Sequence, residues 1–219
     1  MVPRSLGSRL GAAYAAGGLE EVGRRTIGRL RASWITRYRF PLEGARHIRG
    51  TVTRSARHAL ACVAVERGQL MPESRQLGAW SVEFENVWAS LHRATEGPFN
   101  EEYDVGYTSG QFLYCLIRWL QPEAVVETGV ARGASTLLIL AAMDANESGI
   151  LTSFDVSHSV GALVPPQHER WRLVILDPNQ AQEQLTEAVS GLGPIDVFLH
   201  DSDHTYTQQM FEYQVAEYG

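Results

Sequence analysis

The hydrophobic positions of this chain change period partway along it. Up to Pro122 they recur every three or four residues; beyond it they gather in short apolar runs separated by helical stretches. Leu77, Trp80, Phe84, Val87, Trp88 and Leu91 predict a helix over residues 74–93. Phe112, Leu113, Leu116, Ile117 and Leu120 predict another over 108–120, capped by Thr108 or Ser109 and ended by Pro122. Further upstream, Leu19, Val22, Ile27, Leu30 and Trp34 predict a looser amphipathic helix. Its acids Glu20 and Glu21 come before its arginines, the order the helix dipole favours.

After Pro122 the runs at 124–127, 150–155, 171–176 and 195–200 read as strands, and 134–143, 180–190 and 205–217 read as helices. This β-α-β-α order predicts an α/β fold: a Rossmann-like, doubly wound parallel sheet of about four strands, preceded by a helical N-terminal region. The expected division is a mainly helical region over 1–99 and an α/β domain over 100–219.

Composition narrows the picture. With 44% hydrophobic and 20% charged residues the chain can bury a real core. Cys62 and Cys115 are too few and too far apart for a disulfide framework, so a reducing cytoplasm is the expected setting. No apolar run reaches the roughly 18 residues that a membrane span needs. Charge is uneven: residues 1–60 hold 12 arginines against three acids, net +9, whereas the rest hold 7 against 22, net −15. The bland reading of the basic arm is a solvated arginine-rich helix. The functional one is peripheral contact with a membrane or partner through basic N-terminal helices, with no nucleic acid expected.

In a parallel sheet the ligand lies beyond the carboxyl ends of the strands, which directs attention to the loop after the first strand. It reads Glu127-Thr128-Gly129-Val-Ala-Arg-Gly133-Ala-Ser135 and opens directly into a helix. Its glycines permit a tight turn, and the helix N-terminus offers amides and positive potential. Glu127 would repel a phosphate but suits the ammonium and sulfonium of S-adenosylmethionine. Asp155, ending the second strand 28 residues later, can accept the ribose hydroxyls of an adenosine, or cap the next helix. The glycine spacing is not the G-x-G-x-x-G of nicotinamide oxidoreductases.

After the fourth strand, His200, Asp201, Asp203 and His204 crowd one loop. Such a set can bind a divalent metal or supply a general base; equally, Asp203 can cap the helix that begins at Thr205.

Together, E-x-G-x-x-x-G-x-S at Glu127, Gly129, Gly133 and Ser135 and D-x-D-H-x-Y at Asp201, Asp203, His204 and Tyr206 resemble class I S-adenosylmethionine-dependent methyltransferases. The similarity is to the branch of small-molecule O-methyltransferases and cephalosporin hydroxylase-like proteins, over roughly residues 100–219. The resemblance implies O-methylation of a small molecule such as a sugar or secondary metabolite. It assigns cofactor contacts to Glu127, Thr128, Gly129, Gly133, Ser135, Asp155, Asp177 and Asp201. Asp201 is further implied as ligand of a divalent metal such as Mg2+, and His204 with Asp203 as the catalytic pair. It also implies strands beyond the four present, so the sequence reads as a fragment or a short product, inactive or completed by a partner chain, with a homo-oligomer among the expected partners. The alternative is a noncatalytic cofactor-binding protein that docks on a membrane or partner through its basic helices.

Overall fold

The computed structural model describes residues 50–92 and 97–218. Residues 46–219 form one compact unit. The helix expected over 19–34, and with it most of the basic arm, lies outside the described residues.

In chain order the elements are α1 (Arg54–Arg67), α2 (Ser74–Leu91), a 3-10 turn (Glu101–Tyr103), α3 (Tyr107–Leu120), β1 (Ala124–Thr128), α4 (Ala134–Asn146), β2 (Ile150–Asp155), β3 (Trp171–Ile175), α5 (Ala181–Ser190), β4 (Val197–His200) and α6 (Tyr206–Tyr218). The four strands are all parallel in the order β3-β2-β1-β4. This is the doubly wound α/β sheet that the sequence pattern predicts. The winding runs outward from β1 through β2 to β3 and then crosses to the other side of β1 for β4, which makes the crevice at the carboxyl ends of β1 and β4 the natural ligand site.

Side chains alternate across the sheet with period two. Val125 and Leu151 face the layer that contains α3 and α4, packing with Ile117, Leu138, Ile139 and Met143. Val126 and Phe154 face the other layer, with Leu185 and Val189 of α5 and Val215 of α6. Adjacent residues at the tip of β1 therefore serve opposite layers.

The helix α1 was not among the sequence expectations. Its buried face is Ala56, Ala59, Leu60 and Ala64, too small in side chain to register as an apolar stripe. Its ends carry ordinary signals: the Thr53 hydroxyl accepts from the Ala56 amide, and Gly68 closes the helix at φ 62. The helix α3 begins one residue earlier than expected, with Gly106 at its cap and no capping side chain in place of Thr108 or Ser109. Among the described residues no helix is long and apolar enough to cross a membrane.

Candidate active site

The strand ladders run on into the glycine loop. The Gly129 amide donates to the Phe154 carbonyl, and the Asp201 amide to the Thr128 carbonyl, each at 2.8 Å. The loops after β1, β2 and β4 are thus drawn against one another. A Cβ on Gly129, at φ +82, would lie 2.3 Å from the Asp201 carbonyl oxygen; one on Gly133, at φ +89, would lie 2.9 Å from Val164 Cγ2. Both glycines are required by protein packing itself, before any ligand is considered.

Glu127 lies beneath the loop and is fully buried. Its carboxyl accepts hydrogen bonds from the hydroxyls of Ser135 (2.6 Å), Thr136 (2.7 Å) and Ser153 (2.7 Å). Burial pushes its pKa up, with the Asp155 charge adding to the rise, while the three hydroxyls oppose it. The charge that sequence reasoning aimed at a ligand is therefore also the clamp between β1, β2 and the first turn of α4. Asp155 accepts the Val130 amide at 2.8 Å and the Ser157 amide at 2.9 Å, so it ties the glycine loop to the loop after β2. Its role as helix cap is not seen: no helix begins directly after β2.

On the opposite layer Thr128, His200 and Ser202 converge on Glu212 of α6. Thr128 Oγ1 and Ser202 Oγ donate to its carboxylate, and His200 Nδ1 meets it, each at 2.5 Å; Gln208 Nε2 donates at 2.8 Å. Burial alone would raise the Glu212 pKa, but the hydrogen bonds from His200, Ser202, Thr128 and Gln208 outweigh it and hold the group below its ordinary value. Among the described residues, the buried Nε2 of His200 has no hydrogen-bond partner.

A carboxylate whose pKa is lowered on folding stabilises the fold above its unfolded pKa, and that contribution is lost as pH falls through the folded value. A Glu212→Gln variant should accordingly differ most from wild type near neutral pH, with the gap narrowing below the ordinary value of 4.5. Urea midpoints measured from pH 7 down to pH 3 check this; a gap that stays constant with pH would refute the charged state of Glu212.

The remaining expected site residues separate into two groups. Asp201 is brought to the crevice, where burial, with the Glu127 charge second, lifts its pKa to about 7. His204 is mostly exposed, its Nε2 4.0 Å from Asp201 Oδ1, and its ring stands edge-on to His200 at 5.7 Å. Asp203 accepts the Thr205 amide at 3.1 Å and its hydroxyl at 3.2 Å in a turn just ahead of α6, whose cap is Thr205 itself, its hydroxyl accepting from the Gln208 amide at 3.3 Å. Asp177 likewise engages its own turn, accepting the Asn179 amide at 2.8 Å, and is exposed.

Among the described residues no group of three or more His, Cys, Asp or Glu is arranged to hold a metal ion. Asp201 with one histidine at 4.0 Å falls short of the oxygen-rich donor set of a Mg2+ site. Sequence reasoning missed Glu212 altogether. One signal was available: an acid three residues from Val215 sits on the buried stripe of α6, where an unpaired carboxylate is costly.

A parallel sheet, a glycine loop opening into a helix at its switch point, and carboxyls at the ends of β1, β2 and β4 thus meet at one crevice. Residues 126–217 match the family model described as a methyltransferase domain. No curated protein sequence matches the chain. Among solved structures it is similar to the cofactor-bound Rv0187 from MTB, at 19% identity over 72% of this chain and 67% of that one, with TM-score 0.42. It is also similar to the SAH-bound Podospora anserina methyltransferase PaMTH1, at 11% identity over 81% and 69%, TM-score 0.42. A third is a Klebsiella pneumoniae protein described as an O-methyltransferase, at 20% identity over 74% and 67%, TM-score 0.41.

Proposed function

We propose that this chain binds S-adenosylmethionine at the carboxyl ends of β1, β2 and β4 and transfers its methyl group to a hydroxyl of a small molecule. The observation that carries the reading is the gathering of Glu127, Asp155 and Asp201 around a single glycine loop. Glu127 and Asp201 are both pushed upward in pKa, Asp201 in part by the charge of Glu127. A site that crowds carboxyls in this way favours a ligand that brings positive charge, as a sulfonium and an ammonium do. The donor set therefore fits this cofactor. Asp155 would hold the ribose, the first turn of α4 the carboxylate end, and Asp201 the cationic end. Asp177 belongs to the adenine side of the same cleft. The residues assigned to this chemistry all lie within 100–219.

When bound, the cofactor supplies an electrophilic methyl on sulfur. Its transfer to an acceptor oxygen would exchange the S–CH3 bond for an O–CH3 bond and leave a thioether. The hydroxyl proton must leave as the oxygen attacks, and His204 takes it, close enough to Asp201 for the imidazolium to be stabilised. Asp203 fixes the turn that presents His204.

Isothermal titration with S-adenosylmethionine tests the cofactor half directly. Binding should be accompanied by a thermal shift; ligand at 100 times its Kd stabilises a fold by about 2.7 kcal/mol. Absence of both heat and shift would sink the reading.

A further inference from the structure

Arg132 sits between the two glycines of the cofactor loop, and it is 3% exposed. Its side chain leaves the loop altogether. Nε and Nη2 donate to the two carboxylate oxygens of Asp104 at 3.1 and 2.6 Å, and Nη2 also donates to the Leu91 carbonyl at 2.8 Å. One guanidinium thus joins the loop to the end of α2 and to the segment leading into α3. The backbone beside it is held from the other side: the Gly161 amide donates to the Ala131 carbonyl at 2.8 Å and the Leu163 amide to the Arg132 carbonyl at 2.9 Å. Ala131, at φ +46, occupies a left-handed conformation that is unfavourable for any residue with a Cβ.

A buried ion pair contributes little net stability compared with apolar residues of the same volume, because both charges lose their water. What it does supply is geometry, since a forked guanidinium on a carboxylate fixes position and plane together. With Gly129 and Gly133 on either side and a strained alanine next to it, this loop needs such a constraint. We propose that Arg132 is a positioning residue: through Asp104 and Leu91 it holds the glycine loop in its ligand-ready form, so that the segment before α3 sets cofactor affinity. This inference rests on the cofactor reading above and extends it to residues outside the sheet.

The test uses the full chain with S-adenosylhomocysteine as probe. Arg132→Lys keeps the charge but loses the fork, and Asp104→Asn keeps the shape but loses the charge. Each should weaken binding at least tenfold in titration calorimetry. In the absence of any ligand, amides 129–135 of both variants should exchange hydrogen faster than in wild type.

Arg118→Lys is the control. It disturbs another partly buried ion pair, with Glu83 at 2.8 Å, in the α2–α3 layer. It should lower Tm while changing the Kd less than twofold, which separates loss of packing from loss of loop geometry. Wild-type affinity and wild-type exchange in both loop variants would overturn the proposal, as would an equal loss of affinity in Arg118→Lys. If wild type itself fails to bind the probe, the cofactor reading falls and takes the affinity claim with it. Faster loop exchange in the two variants alone would in that case still support the positioning role.

Discussion

Gly129→Ala should cost at least about 3 kcal/mol of stability and abolish cofactor binding. The added methyl has nowhere to go: it would stand 2.3 Å from the Asp201 carbonyl oxygen and 2.7 Å from Ser202 Cα, both backbone atoms. Relief requires β4 and its loop to move away from β1, which breaks the Asp201 amide bond to the Thr128 carbonyl. The left-handed φ of +82 adds about 1 kcal/mol for any residue with a Cβ. Gly133→Ala should be milder, because its nearest neighbour at 2.9 Å is a Val164 methyl that can turn aside. Urea denaturation of the two variants checks both the size and the order. A Gly129→Ala protein with a wild-type midpoint would show that the β1 and β4 loops do not touch as described.

The second large effect is expected at Glu127. Glu127→Ala deprives three buried hydroxyls of their acceptor at once, and at about 1 kcal/mol each the loss is roughly 3 kcal/mol before the cavity is counted. Glu127→Gln keeps the shape, and hydroxyls can turn to accept from its amide, so the cost should be closer to 1 kcal/mol. The two variants also separate the roles of this group. If Glu127 acts on the ligand only as a clamp, Gln should retain most affinity for S-adenosylhomocysteine; if its charge is needed, Gln should lose affinity while the fold survives. Titration calorimetry beside denaturation reads both. An Ala variant as stable as wild type would contradict the buried three-hydroxyl network.

How far the sequence foretold this arrangement depended on the range of the interaction. The strands were legible because apolar runs such as Leu151-Thr-Ser-Phe154 are local, and the turn residues around them are too. The loop was legible because Gly129, Gly133 and the helix start lie within a few positions of each other. The local bond of Asp203 to Thr205 was legible for the same reason, the two being two residues apart, although the cap of α6 is Thr205 and not Asp203. The helix α1 was lost because alanines bury a face without announcing it. Glu212 was lost because Thr128, 84 residues distant, meets it only once the sheet has formed. The glycines were identified correctly but for an incomplete reason: at Gly129 what needs the missing Cβ is first the backbone of Asp201 and Ser202, a long-range contact, and at Gly133 the Val164 side chain.

The alternation along β1 has a consequence for how such a site can change. Glu127 and Thr128 are joined by one peptide unit, yet they look into different layers, one toward α4 and the other toward α6. Each anchors its own closed circle of buried hydrogen bonds, and among the described residues the two circles share no side chain. Additivity is expected only of sites more than about 7–10 Å apart, and these two are chain neighbours whose circles both act on Asp201: Glu127 pushes its pKa up and His200 pulls it down. The tip of β1 therefore works as a relay more than a wall: a change at His200 on the α6 side reaches Asp201, the carboxyl that also senses Glu127 on the α4 side.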